Sequence, residues 1–226
     1  MHELLFVWLG GALFVASLAV CAYDYLFIWS RPALAADVTH AVVINTLLFG
    51  VFAFHHTIFA RELVKAHVRR LVPDRLLRSV YVWIASAVFI LVCTWWRPVG
   101  GDAYHVTGWR ALAHAAVQLG GLSMMVASVR VIDPLELAGI RQRTRPDVLQ
   151  IVGPYRWVRH PLYLGWILAV FGAAHMTANR AAFAAITSFY LFIAVPWEER
   201  SLERTLGGEY QRYKRAVRWR IVPFMY

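Results

Sequence analysis

The densest group of residues able to do chemistry lies between Gly153 and Glu199. It opens as Gly153-Pro154-Tyr155-Arg156-Trp157-Val158-Arg159-His160-Pro161-Leu162-Tyr163-Leu164-Gly165 and closes on Trp197-Glu198-Glu199-Arg200. Pro161 fits the first position of a helix, where its missing N–H costs nothing and its fixed φ is already helical. Such a helix presents backbone N–H groups and a positive dipole end beside Arg159 and His160, a seat for a carboxylate or phosphate. Glu198 and Glu199 end a second apolar segment, where the dipole is negative and acids are disfavoured. Two acids in that position ask for a cationic partner. If the two apolar segments form a hairpin, both ends return to one face. The joint site then suits a ligand carrying both a carboxylate and positive charge.

A second group lies upstream. His55 and His56 are adjacent, so on a helix they point about 100° apart and cannot share one metal, which wants i,i+4 spacing. A histidine inside an apolar segment is a functional candidate in its own right, and His56 is the one selected here. Asp133, Glu136, Arg141 and Gln142 follow in Asp133-Pro134-Leu135-Glu136-Leu137-Ala138-Gly139-Ile140-Arg141-Gln142. Cys21 and Cys93 show no CxxC or ligand spacing, which argues against a disulfide framework or structural zinc.

The elements that must position these groups are membrane spans. Of 226 residues, 60% are hydrophobic and 16% charged, with mean hydropathy +0.53. Soluble domains are nearer half apolar and about a quarter charged. The apolar runs are Leu4–Trp29, Thr39–Ala60, Ser79–Trp96, Trp109–Val131, Leu162–Ala174 and Ala181–Trp197. The first four meet or approach the ~20 residues needed to cross a bilayer. The last two are read as a hairpin turned at His175–Arg180, with a full crossing left open. Met1-His2-Glu3 lacks a basic n-region, so the first run is read as a retained span. The expected fold is an all-α polytopic membrane bundle of five to six spans, with a C-terminal helical hairpin and a cytoplasmic amphipathic tail. It is read as one domain over 1–226, with four spans in 1–131 and the ligand-binding segment, hairpin and tail in 132–226.

Charge sets the expected orientation. The net charge is +10, and nineteen of the 23 Lys and Arg residues fall between spans two and three, between spans four and five, or in the tail. Arg31, Arg97, Arg110 and Arg180 are left for the other side. Positive-inside then places both termini in the cytoplasm. This pattern reads as topology and headgroup contact rather than nucleic-acid binding. The Gly153–Tyr163 segment, Glu198, Glu199, His55, His56 and Asp133 share that face. The tail from Ser201 to Arg220 is expected to be helical and broken at Gly207-Gly208, with Tyr210, Tyr213 and Val217 at helical spacing among basic residues.

Gly153-Pro154-Tyr155…Arg159-His160-Pro161-Leu162-Tyr163-Leu164-Gly165, followed by Glu198-Glu199-Arg200-Ser201-Leu202, resembles the signature of a membrane methyltransferase group. That group holds the isoprenylcysteine carboxyl and phospholipid N-methyltransferases, and the closing Gly208…Tyr210…Tyr213…Val217…Pro223 is similar to it. The front half resembles the bacterial methanethiol S-methyltransferase branch through Phe52-Ala53-Phe54-His55-His56-Thr57-Ile58-Phe59-Ala60-Arg61, Arg78-Ser79-Val80-Tyr81, Trp96-Arg97-Pro98 and Leu135–Gln142. That branch implies Gln where His55 stands and Phe where Ala138 stands.

The resemblance implies S-adenosylmethionine as cofactor, a ligand with a carboxylate, an ammonium and a sulfonium. It also implies that Gln142, Gly153, Tyr155, Arg159, His160, Tyr163, Glu198 and Glu199 line the cofactor. Arg159, His160 and the helix start are expected to take its carboxylate, and the glutamates its ammonium or ribose hydroxyls. The acceptor is expected to be a small or lipid-soluble thiol such as methanethiol, in the bacterial inner membrane. His56, or a carboxylate from Asp133 or Glu136, would take the thiol proton, and Arg141 would stabilise the anion. No metal is required. The alternatives are an isoprenylcysteine carboxylate or phospholipid amine as acceptor, or a b-type haem carrier with His56 and His160 as axial ligands. A transporter is disfavoured because no charged pathway runs through the spans.

Overall fold

The computed structural model describes residues 1–34, 37–59, 61–141 and 149–226, with only the backbone of 62 and 63. The element order is α1 (His2–Tyr23, continued by a π turn Asp24–Ile28), α2 (Val38–Phe59), α3 (Glu62–Val68), α4 (Asp74–Thr94), β1 (Asp102–His105), α5 (Gly108–Ile132), α6 (Pro134–Leu137), α7 (Pro161–Phe171), β2 (His175–Thr177), α8 (Ala178–Leu206) and α9 (Gly208–Ala216). A 3₁₀ turn covers Gly153–Arg156. Five helices are long and apolar enough to cross a membrane: α1 with its π turn, α2, α4, α5 and α8. The chain is an all-α polytopic membrane protein. At eleven residues α7 is only about 16 Å long, half of a ~30 Å hydrocarbon core.

The chain packs as two compact units, one of Met1–Asp102, Pro134–Arg143 and Thr177–Ala182, the other of Ala103–Asp133, Thr144–Met176 and Phe183–Tyr226. In the first, α1 and α4 run in the same direction. Glu3 pairs with Arg75 at one end, and the Trp83 indole donates to the Phe6 carbonyl at 3.0 Å. Gly10 is required there, since a Cβ would lie 2.7 Å from the Trp83 ring. Buried Asn45 exchanges hydrogen bonds with the backbone of Arg97 at 2.9 and 2.8 Å, tying α2 to the turn after α4. Arg180, expected as an outer-face charge, is buried: it donates to the Tyr25 carbonyl at 2.9 Å and lies 5.0 Å from the Tyr25 ring. Its partners take the place of water, as a buried charge requires.

In the second unit α7 lies directly on α5. A Cβ on Gly165 would meet the Gly121 carbonyl at 2.8 Å, and one on Gly121 would meet backbone of Gly165 and Ala169 at 2.6 Å. Small residues let two backbones touch where lipid supplies no hydrophobic drive between helices. Gln118 adds a side-chain bond to the Ala169 carbonyl at 2.9 Å. The expected turn at His175–Arg180 is instead the short strand β2, with α8 beginning at Ala178. Ala174 accepts from the Val106 N–H at 2.9 Å, and the His105 and His175 rings stack at 4.4 Å. Period-two hydrophobicity over three or four residues is too short to announce such a ribbon.

The tail breaks where expected, at Gly207, whose φ of 54° favours glycine. The helix before it is α8 itself, extended to Leu206, and the chain after Ala216 is not helical. Tyr210, Tyr213 and Val217 are buried against Leu149, Leu202 and Leu206. The apolar stripe of α9 is thus covered by protein, leaving Arg212 and Arg215 outward.

Candidate functional site

His160 is the residue before α7, and Pro161 opens it. The His160 carbonyl accepts from the N–H groups of Tyr163 and Leu164 at 3.1 and 3.2 Å. The second is the ordinary first helical bond, but the first uses a backbone donor that the sequence reading left open for a ligand, so the anion seat at this helix start is narrower than expected. The backbone on the other side is also held. Arg159 N–H donates to the Trp219 carbonyl at 2.9 Å and His160 N–H to the Arg220 carbonyl at 2.8 Å. The chain after α9 therefore comes back alongside the Arg159-His160 motif.

That return path explains the local charges. Arg159, 8% exposed, donates from Nε to Glu199 Oε1 at 2.6 Å and from Nη1 to the carbonyls of Val217 and Arg218 at 2.9 and 2.8 Å. Arg220 Nε reaches the other Glu199 oxygen at 3.1 Å. Glu199, 3% exposed, is thus clasped between two guanidiniums. A carboxylate so buried persists only with such partners. The sequence reading put these acids at a helix end, but α8 runs on to Leu206, so the expected dipole penalty does not arise and the guanidiniums answer burial alone.

Glu198 is different. Its side chain is 44% exposed, accepts from the Tyr163 hydroxyl at 2.8 Å, and lies 3.6 Å from His160 Nδ1. The His160 ring is 7% exposed and stacks on Tyr163, centroids 5.4 Å apart at 11°. Its Nε2 is 3.6 Å from Glu199 Oε1, too long for a hydrogen bond, and has no hydrogen-bond partner among the described residues. The His160 imidazole, with Nε2 unbonded beside buried Glu199 and Nδ1 facing the half-exposed Glu198, is the least satisfied part of this cluster, and the part best suited to a ligand.

Tyr155 lies in the 3₁₀ turn, and its carbonyl accepts from the Tyr213 hydroxyl at 2.8 Å. Burial first, and the charge of Glu198 second, push its phenol up to about 12. It remains a neutral hydroxyl at any physiological pH. Burial also raises Tyr213 and Tyr210. The Tyr210 hydroxyl, missed in the sequence reading, is buried and has no hydrogen-bond partner among the described residues. Gly153 has φ 54° and open space where a Cβ would stand, so backbone conformation explains it. Gln142 lies outside the described residues.

Of the cofactor residues expected from the sequence, the structure brings Arg159, His160, Tyr163, Glu198 and Glu199 into one cluster of side chains in the second unit, with the Tyr155 turn beside it. The residues expected to do catalysis sit otherwise. His56, in α2, packs edge-on to Tyr81 at 5.8 Å. The Glu136 carbonyl, in α6, accepts from Arg78 Nε at 3.3 Å. Arg141 N–H donates to the Leu135 carbonyl at 3.0 Å. These three belong to the first unit. Asp133 ends α5 in the second, at a strained φ of 79° before Pro134.

The isoprenylcysteine carboxyl methyltransferase (ICMT) family profile matches residues 142–204, which hold both halves of the cluster. The chain is 35% identical to a methanethiol S-methyltransferase of Mycobacterium tuberculosis over 82% of this chain and 80% of that one. It is 36% identical to methanethiol S-methyltransferase 1 of Bradyrhizobium diazoefficiens (78% and 65%) and 31% identical to the Crocosphaera subtropica methanethiol S-methyltransferase (82% and 76%). No solved structure matches. By identity and coverage, this chain belongs to the ICMT-type family of membrane methyltransferases, in the branch that holds the methanethiol S-methyltransferases.

Proposed function

We propose that this chain uses S-adenosylmethionine to methylate the sulfur of a small thiol, methanethiol giving dimethyl sulfide. The observation that carries the donor assignment is the mixed-charge cluster around His160. It offers an exposed carboxylate, Glu198, and an unbonded imidazole nitrogen, the demands a ligand with ammonium, carboxylate and hydroxyl groups would meet. The thiol assignment is supported by the names of the relatives. When bound, the donor supplies an electrophilic methyl group on a sulfonium.

The chain's residues have distinct tasks in this reading. Glu198 takes the donor's ammonium or ribose hydroxyls, with Tyr163 fixing the carboxylate. His160 Nε2 meets a polar donor group. Arg159 and Glu199 hold the motif to the returning chain, and Tyr155, Gly153 and Gln142 complete the donor side. On the acceptor side a thiol has a pKa of about 8.5, and only its thiolate attacks well. His56, or a carboxylate of Asp133 or Glu136, takes that proton, and Arg141 stabilises the anion. No metal is needed, since the protein's contribution is positioning and a dry site. The whole chain acts as one methyltransferase domain in the bacterial inner membrane, with the donor site on the cytoplasmic side.

The test is purified protein in lipid nanodiscs with methyl-labelled donor and a panel of acceptors. Labelled dimethyl sulfide from methanethiol is expected. Label appearing instead in a prenyl-cysteine ester or a phospholipid amine would overturn the acceptor, and no label in any product would overturn the donor.

A further inference from the structure

His55 is the anomaly of the first unit. Both of its ring nitrogens are buried, and neither has a hydrogen-bond partner among the described residues. A neutral imidazole carries one donor and one acceptor. Leaving both buried and unmet is costly, so a partner outside the polypeptide is the economical explanation. Its surroundings are aromatic. The ring stacks on Tyr81 at 5.5 Å and 11°, and Phe59 lies 5.7 Å from His55 and 5.3 Å from Tyr81. Arg78 sits 5.5 Å from the Tyr81 ring.

Such an enclosure selects its ligand by chemistry. A carboxylate entering among aromatic rings, which present their negative faces, would lose its hydration with little return, and an ammonium would meet the Arg78 guanidinium already over the Tyr81 ring. A neutral thiol loses little, gains sulfur–aromatic contacts, and can donate its S–H to an imidazole nitrogen. Building on the thiol reading above, we propose that His55, with Tyr81 and Phe59, is the seat of the acceptor sulfur. The His55 ring accepts the S–H hydrogen bond while the two aromatic rings contact the sulfur and its alkyl group. His55 is then a recognition residue that sets which acceptors are bound, and the amide of a glutamine at this position preserves a hydrogen-bond acceptor there.

Two measurements test this. In ¹⁵N-histidine-labelled full-length protein without donor, methanethiol is expected to shift one histidine signal that is missing from H55F. In steady-state assays, H55F is expected to raise the KM for methanethiol tenfold or more while the Kd for S-adenosylhomocysteine stays within twofold of wild type. H55Q should recover part of the loss. An unchanged KM in H55F, or no His55 shift on adding methanethiol, overturns the proposal even where labelled dimethyl sulfide forms. Equal loss of donor affinity and thiol affinity in both variants also overturns it, as the mark of a structural residue. A His55 shift in a protein that transfers no methyl to thiols would keep this seat and overturn the function proposed above.

Discussion

Glu198 and Glu199 are neighbours in sequence with opposite surroundings, and that difference can be measured. Glu199 is buried between Arg159 and Arg220. Converting it to Gln leaves a buried guanidinium without its counter-charge, an imbalance that costs about 3–5 kcal/mol. Glu199→Gln should therefore lower the melting temperature by several degrees as well as weaken donor binding severalfold. Glu198→Gln, at a half-exposed carboxylate, should weaken S-adenosylhomocysteine binding in calorimetry with a melting temperature near wild type. Equal effects from both would mean the two glutamates share one role. His56→Ala should cut turnover far more than donor affinity; matched losses would make it structural. The start of α7 was legible because Pro161 fits the first helical position, whereas the acids drew notice by a helix end that the structure moves on to Leu206. The roles of Arg159 and Glu199 were not legible, because their partners are carbonyls and a guanidinium of residues 217–220, far along the chain.

Elements hold this site in place through two contacts that differ in visibility. The α5–α7 interface depends on Gly121 and Gly165, where backbones touch. Gly165→Val must push α7 off α5, and overpacking of this kind typically costs 1–3 kcal/mol. Since His160 sits at the start of α7, donor affinity should fall with stability in this variant, measured by calorimetry and thermal unfolding. A stable protein with intact donor binding would contradict the interface. The second contact is the docking of α9, through the Tyr213 hydroxyl and the Tyr155 carbonyl. Burial raises both phenols, Tyr155 to about 12. A raised folded-state pKa gives stability that is complete below the unfolded value of about 10 and is lost as pH rises through the folded one. Tail docking should therefore hold at neutral pH and loosen between about pH 10 and 12, followed through the fluorescence of Trp219; Tyr213→Phe should remove most of the Tyr213 part of that transition. Helix periodicity made α9 readable. Its docking was not, because a tyrosine stripe among arginines looks the same whether protein or lipid covers it.

At the scale of the whole molecule, the half-length α7 decides the topology. Five crossing helices alone would put the two termini on opposite faces. In the second unit, however, α7 follows the end of α5, and the chain after it returns to the beginning of α5, where Val106 N–H bonds the Ala174 carbonyl and the Tyr104 hydroxyl bonds the Phe171 carbonyl. The short helix and its extended sequel therefore carry the chain back across by the same distance that α5 covers, and α8 starts again from that side. Counted this way six crossings are expected, with both termini on one face. By the positive-inside rule, the excess of Lys and Arg in the loops and the tail makes the cytoplasm the expected side for both. Single cysteines placed near residue 2 and near residue 226, in a chain with Cys21 and Cys93 changed to serine, should react with a membrane-impermeant maleimide only after the cells are opened. Labelling of one terminus in intact cells and of the other only after lysis would overturn the six-crossing count, and labelling near residue 226 in intact cells would remove the cytoplasmic placement of Glu198 with it.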